Sequence, residues 1–216
     1  MKVNEIFLSI QGEGVQTGIP TTFVRTSGCN MECDWCDTAY ARDEESGKEM
    51  SIAMIMAKIK ANGVYHVCLT GGEPLLQKDA VALVTRLAKE GYFVSIETNG
   101  SLPIDELLLL DASRVTVSMD VKCPSSGMTE YNMIENLDKL RPTDQLKFVI
   151  KDDKDFKFSI KLLKAHRVKC QIVFQPVYGS DPKWLTEMVL QSGLKGLGVR
   201  VMLQIHKVIW GNKRGV

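Results

Sequence analysis

Three cysteines fall within eight residues of CNMECDWC, where Cys29, Cys33 and Cys36 are spaced C-x3-C-x2-C. No fourth cysteine or histidine follows within a comparable span. Structural zinc closes its shell with four ligands and ferredoxin-type clusters also use four cysteines, so three thiolates point to an iron–sulfur cluster with one iron left open. An open iron can bind a substrate or cofactor. A zinc knuckle that recruits a distant cysteine such as Cys68 is the competing metal chemistry. Cys68, Cys123 and Cys170 stand alone and read as small buried hydrophobes, and this dispersion excludes a disulfide framework.

Other polar segments sit where short β-branched runs end. TGGEP follows Leu69, ETNG follows Ile96, MDVKCPSSG follows Ser118, QPVYGS follows Phe174 and QIHK follows Leu203. In a parallel α/β sheet such loops meet at the carboxyl edge, so residues far apart in sequence become neighbours.

The elements that would position them are legible as alternating runs. Strands are expected at Thr22–Thr26, Val64–Leu69, Phe93–Ile96, Val115–Met119, Leu146–Ile150, Ile172–Phe174 and Val199–Leu203. Helices are expected at Ile52–Lys60, Asp79–Glu90, Ile104–Leu110, Met133–Leu140, Phe156–Ala165 and Trp184–Gln191, with Ala41–Lys48 as a surface loop. The 216 residues suit one domain, 1–216, and fall short of the roughly 250 of a full eight-unit barrel. The expected architecture is therefore α/β, a partial (open) βα barrel with about six parallel strands.

A net charge of +1, with Lys and Arg scattered, advertises neither a nucleic-acid groove nor an anionic membrane surface, so a small ligand is expected. The N-terminal segment turns polar too early for a signal peptide, and no apolar run approaches the roughly 18 residues of a membrane span. A cytoplasmic protein is the expectation.

The cysteine motif with Trp35 before its last cysteine, joined by the glycine-glycine-glutamate-proline element at Gly71–Pro74, resembles the radical S-adenosylmethionine (SAM) pattern. That resemblance implies a [4Fe–4S] cluster on Cys29, Cys33 and Cys36, with SAM on the open iron and cleaved to a 5′-deoxyadenosyl radical. It further implies SAM contacts from Gly72, Glu73, Ser118, Asp120, Lys122, Gln175 and Tyr178. From residue chemistry alone, Lys122 is equally a solvated lysine and Gln175 a turn residue before Pro176.

EIFLSIQGEG, Arg25, the continuation CDT after Cys36 and the late QIHK narrow the resemblance to 7-carboxy-7-deazaguanine synthase, over nearly the whole chain. Members convert 6-carboxy-5,6,7,8-tetrahydropterin to 7-carboxy-7-deazaguanine with loss of ammonia, on the way to deazapurine nucleosides of tRNA such as queuosine and archaeosine. The resemblance implies substrate contacts from Ile10, Gln11, Gly12, Glu13, Arg25 and Thr70, and Mg²⁺ on Thr38. A flavodoxin or ferredoxin electron donor and a homodimer are also implied. Arg25 suits bidentate binding of a carboxylate, or pairs with a local one. Glu97 and His206 are candidates for hydrogen bonding or proton transfer, or else a helix cap and a core histidine. His66 and His166 read as structural, and Trp35 as a cover for cluster or adenine.

The chain continues past QIHK through IWGNKRGV, where shorter members place a terminal carboxylate on the pterin. The rival functions are a glycyl-radical-enzyme activating enzyme and, outside enzymes, an iron–sulfur electron carrier or zinc interaction module.

Overall fold

The computed structural model describes residues 1–216, the side chain of Lys195 excepted. Its centre is one nine-stranded sheet in the order β3-β1-β2-β4-β5-β6-β7-β8-β9. The strands are β1 (Lys2–Ile10), β2 (Pro20–Thr26), β3 (Lys48–Glu49), β4 (His66–Gly71), β5 (Phe93–Thr98), β6 (Val115–Val121), β7 (Gln145–Ile150), β8 (Gln171–Pro176) and β9 (Arg200–Val201). From β2 through β9, β3 aside, neighbours pair in parallel. The order starts at β3 and ends at β9, so the sheet is open, as the sequence leads one to expect.

The helices are α1 (Ile52–Asn62), α2 (Ala80–Lys89), α3 (Asp105–Leu108), α4 (Asp153–Ala165), α5 (Pro182–Gln191) and α6 (Ile205–Trp210). Local chemistry sets their ends. Ser51 caps α1 by accepting from the Met54 N–H, and Gly63 closes it in the left-handed region at φ 69°. Asp152 caps α4 by accepting from the N–H groups of Lys154 and Asp155. None of these helices is long and apolar enough to cross a membrane.

Three expectations are corrected, and one strand lies outside those expected. The N-terminal KVNEIFLSI forms β1, which pairs antiparallel with β2 and covers an edge that would otherwise be bare. The expected helix at Met133–Leu140 is a chain of short turns with one 3-10 turn at Ile134–Asn136. Side chains at and just before it tie the segment to backbone elsewhere: Asn132 Oδ1 accepts from the Lys122 N–H and its Nδ2 donates to the Lys122 carbonyl, and the buried Asn136 donates to the Leu102 carbonyl at 2.8 Å. The expected strand Val199–Leu203 shrinks to Arg200–Val201, following Gly198 in the left-handed region. The expected helix Ile104–Leu110 shrinks to the single turn of α3.

Period-two alternation divides the sheet's faces. Val24, Leu69, Ile96, Val117, Leu146 and Phe148 belong to a continuous apolar core together with Ile55 and Ile59 of α1, Leu83 and Leu87 of α2 and Phe156 of α4. The opposite, concave face carries polar side chains in register: Arg25 beside Thr70, Glu97 beside Ser118, Ser118 beside Gln145 and Asp120 beside Lys147. A wholly apolar interior would have made a packed core there. This one leaves a cleft.

Candidate active site

The cleft, about 500 Å³ in volume, opens over that concave face. Its rim is built by the loop after β2, which carries Cys29, Cys33 and Cys36; all three thiols line the cleft and are free. Burial pushes the Cys29 and Cys33 thiols up, while the Lys122 ammonium pulls them back. Trp35 lines the same rim, with its Nε1–H donated to Ser125 and Lys122 lying 5.6 Å over its ring.

The loop after β4 packs directly on the cysteine loop. Glu73 N–H donates to the Gly28 carbonyl at 2.8 Å, and Gly72 N–H to the Thr26 carbonyl at 3.2 Å. A Cβ on Gly72 would stand 2.2 Å from the Gly28 carbonyl oxygen, and one on Gly71 2.2 Å from Thr26 Oγ1. Only glycine permits this approach, which is the physical meaning of the double glycine. The Glu73 side chain is fully buried behind the wall, accepting from Leu75 N–H, Thr98 Oγ1 and Asn99 N–H. Burial lifts its carboxyl to about 7 against those donors. What faces the cleft at this turn is the backbone of Gly71 and Gly72.

Ser118, on the concave face, is fully buried beneath Glu97 and does not line the cleft. It donates to Glu97 Oε2 at 2.7 Å and accepts from Gln145 Nε2 at 2.6 Å, so it orients Glu97. Asp120, Lys122, Gln175 and Tyr178 line the cleft. Lys122 pairs with Asp120 at 2.7 Å, and Gln175 Oε1 is buried without a hydrogen-bond partner among the described residues.

On the other side, Ile10, Gln11, Gly12, Glu13, Arg25, Thr38 and Thr70 line the wall, joined by His206 of α6. The QGEG loop and the QIHK segment are interlocked. Ile205 N–H donates to the Gly12 carbonyl at 3.0 Å, and a Cβ on Gly12 would collide with the His206 ring at 2.0 Å. Gln204 leaves the helix end uncapped and donates instead to Glu13 at 2.6 Å. Arg25 pairs with a local carboxylate, its Nε donating to Glu5 at 2.8 Å, while its two terminal nitrogens have no hydrogen bond among the described residues. The Glu13 and Asp37 carboxylates and the His206 ring converge within 4.8 Å of one another. Burial lowers the His206 imidazole against the pull of Glu13 and Asp37, so it is neutral at neutral pH.

The sequence reading passed over Lys147, which holds the centre of the site. Its ammonium lies 2.6 Å from Glu13, 3.3 Å from Glu97 and 3.3 Å from Asp120, with the side chain 7% exposed. Burial alone would raise Glu13, yet Lys147 and Gln204 bring its carboxyl down to about 2. Glu97 lies on β5, not at a helix cap; burial wins there and its carboxyl is raised. One oxygen each of Glu97 and Asp120 is buried without a hydrogen-bond partner among the described residues. The signal was present: a lysine inside the apolar run LKFVI. Asp37 and Asn99, which also line the cleft, were passed over as well.

The remaining histidines are structural. His66 stacks on Phe93 at 5.0 Å and His166 pairs with Asp138 at 3.1 Å.

Residues 23–173 match the model of the radical SAM superfamily. Three free thiols on an open α/β sheet beside a glycine-paired turn, with that match, define a radical SAM enzyme; proteins of this class carry a [4Fe–4S] cluster and use SAM. A 7-carboxy-7-deazaguanine synthase of Methanospirillum hungatei is 43% identical over 210 residues, 97% of this chain and 85% of that protein. One of Thermoplasma acidophilum is 43% identical over 216 residues, all of both chains. The crystal structure of QueE from Escherichia coli superposes with a TM-score of 0.75 at 24% identity, covering 94% of this chain and 93% of that one, which shows the same fold. The chain belongs to the 7-carboxy-7-deazaguanine synthase family.

Proposed function

We propose that this enzyme converts 6-carboxy-5,6,7,8-tetrahydropterin to 7-carboxy-7-deazaguanine with loss of ammonia. The observation that carries the reading is that the three thiols and a wall suited to a carboxylated pterin line one cleft. The donor set fits the cofactors: free thiols for the cluster, a glycine cradle beside them and an unpartnered Gln175 oxygen for SAM. When bound, cluster and SAM supply one-electron reductive cleavage and the radical chemistry that follows from it.

The chain's own residues orient the substrate. The free fork of Arg25 takes the carboxylate through paired N–H donors. Glu13, held ionised by Lys147, accepts hydrogen bonds from the amino-pyrimidine edge, and Gln11 and the backbone near Gly12 complete that edge. Thr38, beside Asp37, supplies a hard oxygen ligand for Mg²⁺ together with the substrate carboxylate. Glu97, pushed toward its protonated form, and neutral His206 are the groups able to give or take a proton as ammonia leaves.

Its partners in this reading are a flavodoxin- or ferredoxin-type electron donor and a second copy of the chain, for which exposed Leu8, Val208 and Ile209 offer apolar surface. The domain is the whole chain, 1–216, and the compartment the cytoplasm. Anaerobic reconstitution followed by assay with SAM, dithionite and 6-carboxytetrahydropterin tests the activity. Appearance of 7-carboxy-7-deazaguanine supports it; 5′-deoxyadenosine released without that product refutes the substrate and leaves a radical SAM enzyme of another specificity.

A further inference from the structure

One cationic residue is hydrogen-bonded to two of the three cysteines, and neither the sequence motifs nor the substrate wall accounts for it. Arg42 lies just after the 3-10 turn Ala39–Ala41. Its carbonyl accepts the Cys29 N–H at 3.0 Å, and its Nη2 donates to the Cys33 carbonyl at 2.6 Å. The preceding residue, fully buried Ala41, accepts from Gly28 at 2.9 Å, so the segment is strapped to the cysteine loop twice through its backbone. Arg42 Nε is shielded from solvent and has no hydrogen-bond partner among the described residues. A buried donor without an acceptor is costly, and a ligand that brings an acceptor removes the cost.

Hydrogen bonds to the sulfurs and nearby charge set the reduction potential of an iron–sulfur cluster. Three thiolates on a [4Fe–4S]²⁺ core make a group of net charge −1, and one-electron reduction makes it −2. A guanidinium, always charged, stabilises the reduced form more than the oxidised one. Lys122 faces the cysteines as well, but it is shared with Asp120 at 2.7 Å. Arg42 has no carboxylate within salt-bridge distance among the described residues.

We propose that Arg42 is a positioning residue that clamps the three-cysteine loop and raises the reduction potential of the cluster through its guanidinium, held against that loop at the Cys33 carbonyl. The proposal rests on the cluster reading. It predicts that Arg42→Gln retains iron and acid-labile sulfide yet is harder to reduce, with Arg42→Lys between it and the parent.

The test is a redox titration of anaerobically reconstituted protein without SAM, followed by electron paramagnetic resonance of the reduced cluster, alongside iron and sulfide analysis. The reduced-to-oxidised ratio at fixed potential is expected to fall about tenfold or more in Arg42→Gln, a shift of about 59 mV for one electron. A fully loaded Arg42→Gln cluster that titrates within about twofold of the parent overturns the proposal. So does loss of loading in both variants, which would make Arg42 a folding residue only. A parent protein that takes up no iron sinks the cluster reading beneath it, an outcome distinguishable from the others because it appears before any substitution is made.

Discussion

Replacing Lys147 by methionine keeps the aliphatic stem and deletes the charge that Glu13, Glu97 and Asp120 share at 2.6 to 3.3 Å. Three buried carboxylates would then face one another without their cation. Removing one partner of a buried ion pair costs about 3–5 kcal/mol. The structure gives an independent figure of the same size. Glu13 titrates at about 2 against its ordinary 4.5, which corresponds to about 3 kcal/mol of stabilisation of the ionised, folded form at neutral pH, part of it from Gln204. A lowered carboxyl contributes stability above its unfolded value that is lost as pH falls through the folded one. Without Lys147 the carboxyls rise instead, and a raised carboxyl contributes stability only below its unfolded value, lost as pH climbs through the folded one. The deficit of Lys147→Met relative to the parent is therefore at least about 3 kcal/mol at pH 8; it falls toward pH 5 as the raised carboxyls of the variant take up protons, while the part from the lowered Glu13 persists until the pH drops below about 4.5. Urea unfolding at both pH values, followed by circular dichroism, measures it. A deficit under about 1 kcal/mol at pH 8, or one that does not change with pH, refutes the idea that Lys147 holds Glu13 and Asp120 ionised and offsets the burial of Glu97.

Three further substitutions probe the site. Cys33→Ala is expected to abolish cluster loading and SAM cleavage; cleavage of SAM by the variant would contradict the assignment of the thiols. Gly72→Ala puts a methyl 2.2 Å from the Gly28 carbonyl and should destabilise the chain by more than about 1 kcal/mol while impairing cluster uptake, checked by thermal unfolding and iron analysis. Arg25→Ala removes the free guanidinium fork, and a charged hydrogen-bonded contact of about 1.5–3 kcal/mol implies a KM for the pterin raised about tenfold to a hundredfold. Slow SAM cleavage without pterin should persist in that variant, and its loss would mean that Arg25 serves the cluster loop rather than the substrate.

The residue types and spacings carried the chemistry. Cys29, Cys33 and Cys36 lie close enough in sequence that their grouping needs no tertiary information, and the turn at Gly71–Gly72 is readable because only glycine tolerates its surroundings. The parallel strands were legible for a similar reason, since each is a short β-branched run whose fate is set largely by its own composition. Elements that depend on distant partners were not. The N-terminal run became a strand because β2 offered an edge, and Met133–Leu140 gave up helix for turns because Asn132 and Asn136 bind backbone elsewhere. Placement in three dimensions also separated Glu73 and Ser118, fully buried and out of the cleft lining, from Gln175 and Lys122, which reach the cleft.

Sequence by itself determined that this chain holds three thiolates, a glycine cradle and a polar set at strand ends, because covalent neighbours and steric tolerance are local properties. Only the tertiary structure decided which charges balance which. Lys147, one residue in an apolar strand, meets Glu13 from a loop 134 residues earlier and carboxylates from two adjacent strands. Arg42 reaches Cys29 and Cys33 because its segment folds back on their loop. Coulomb energy depends on distance through space, and that distance is fixed only when the sheet has curved and its loops have met.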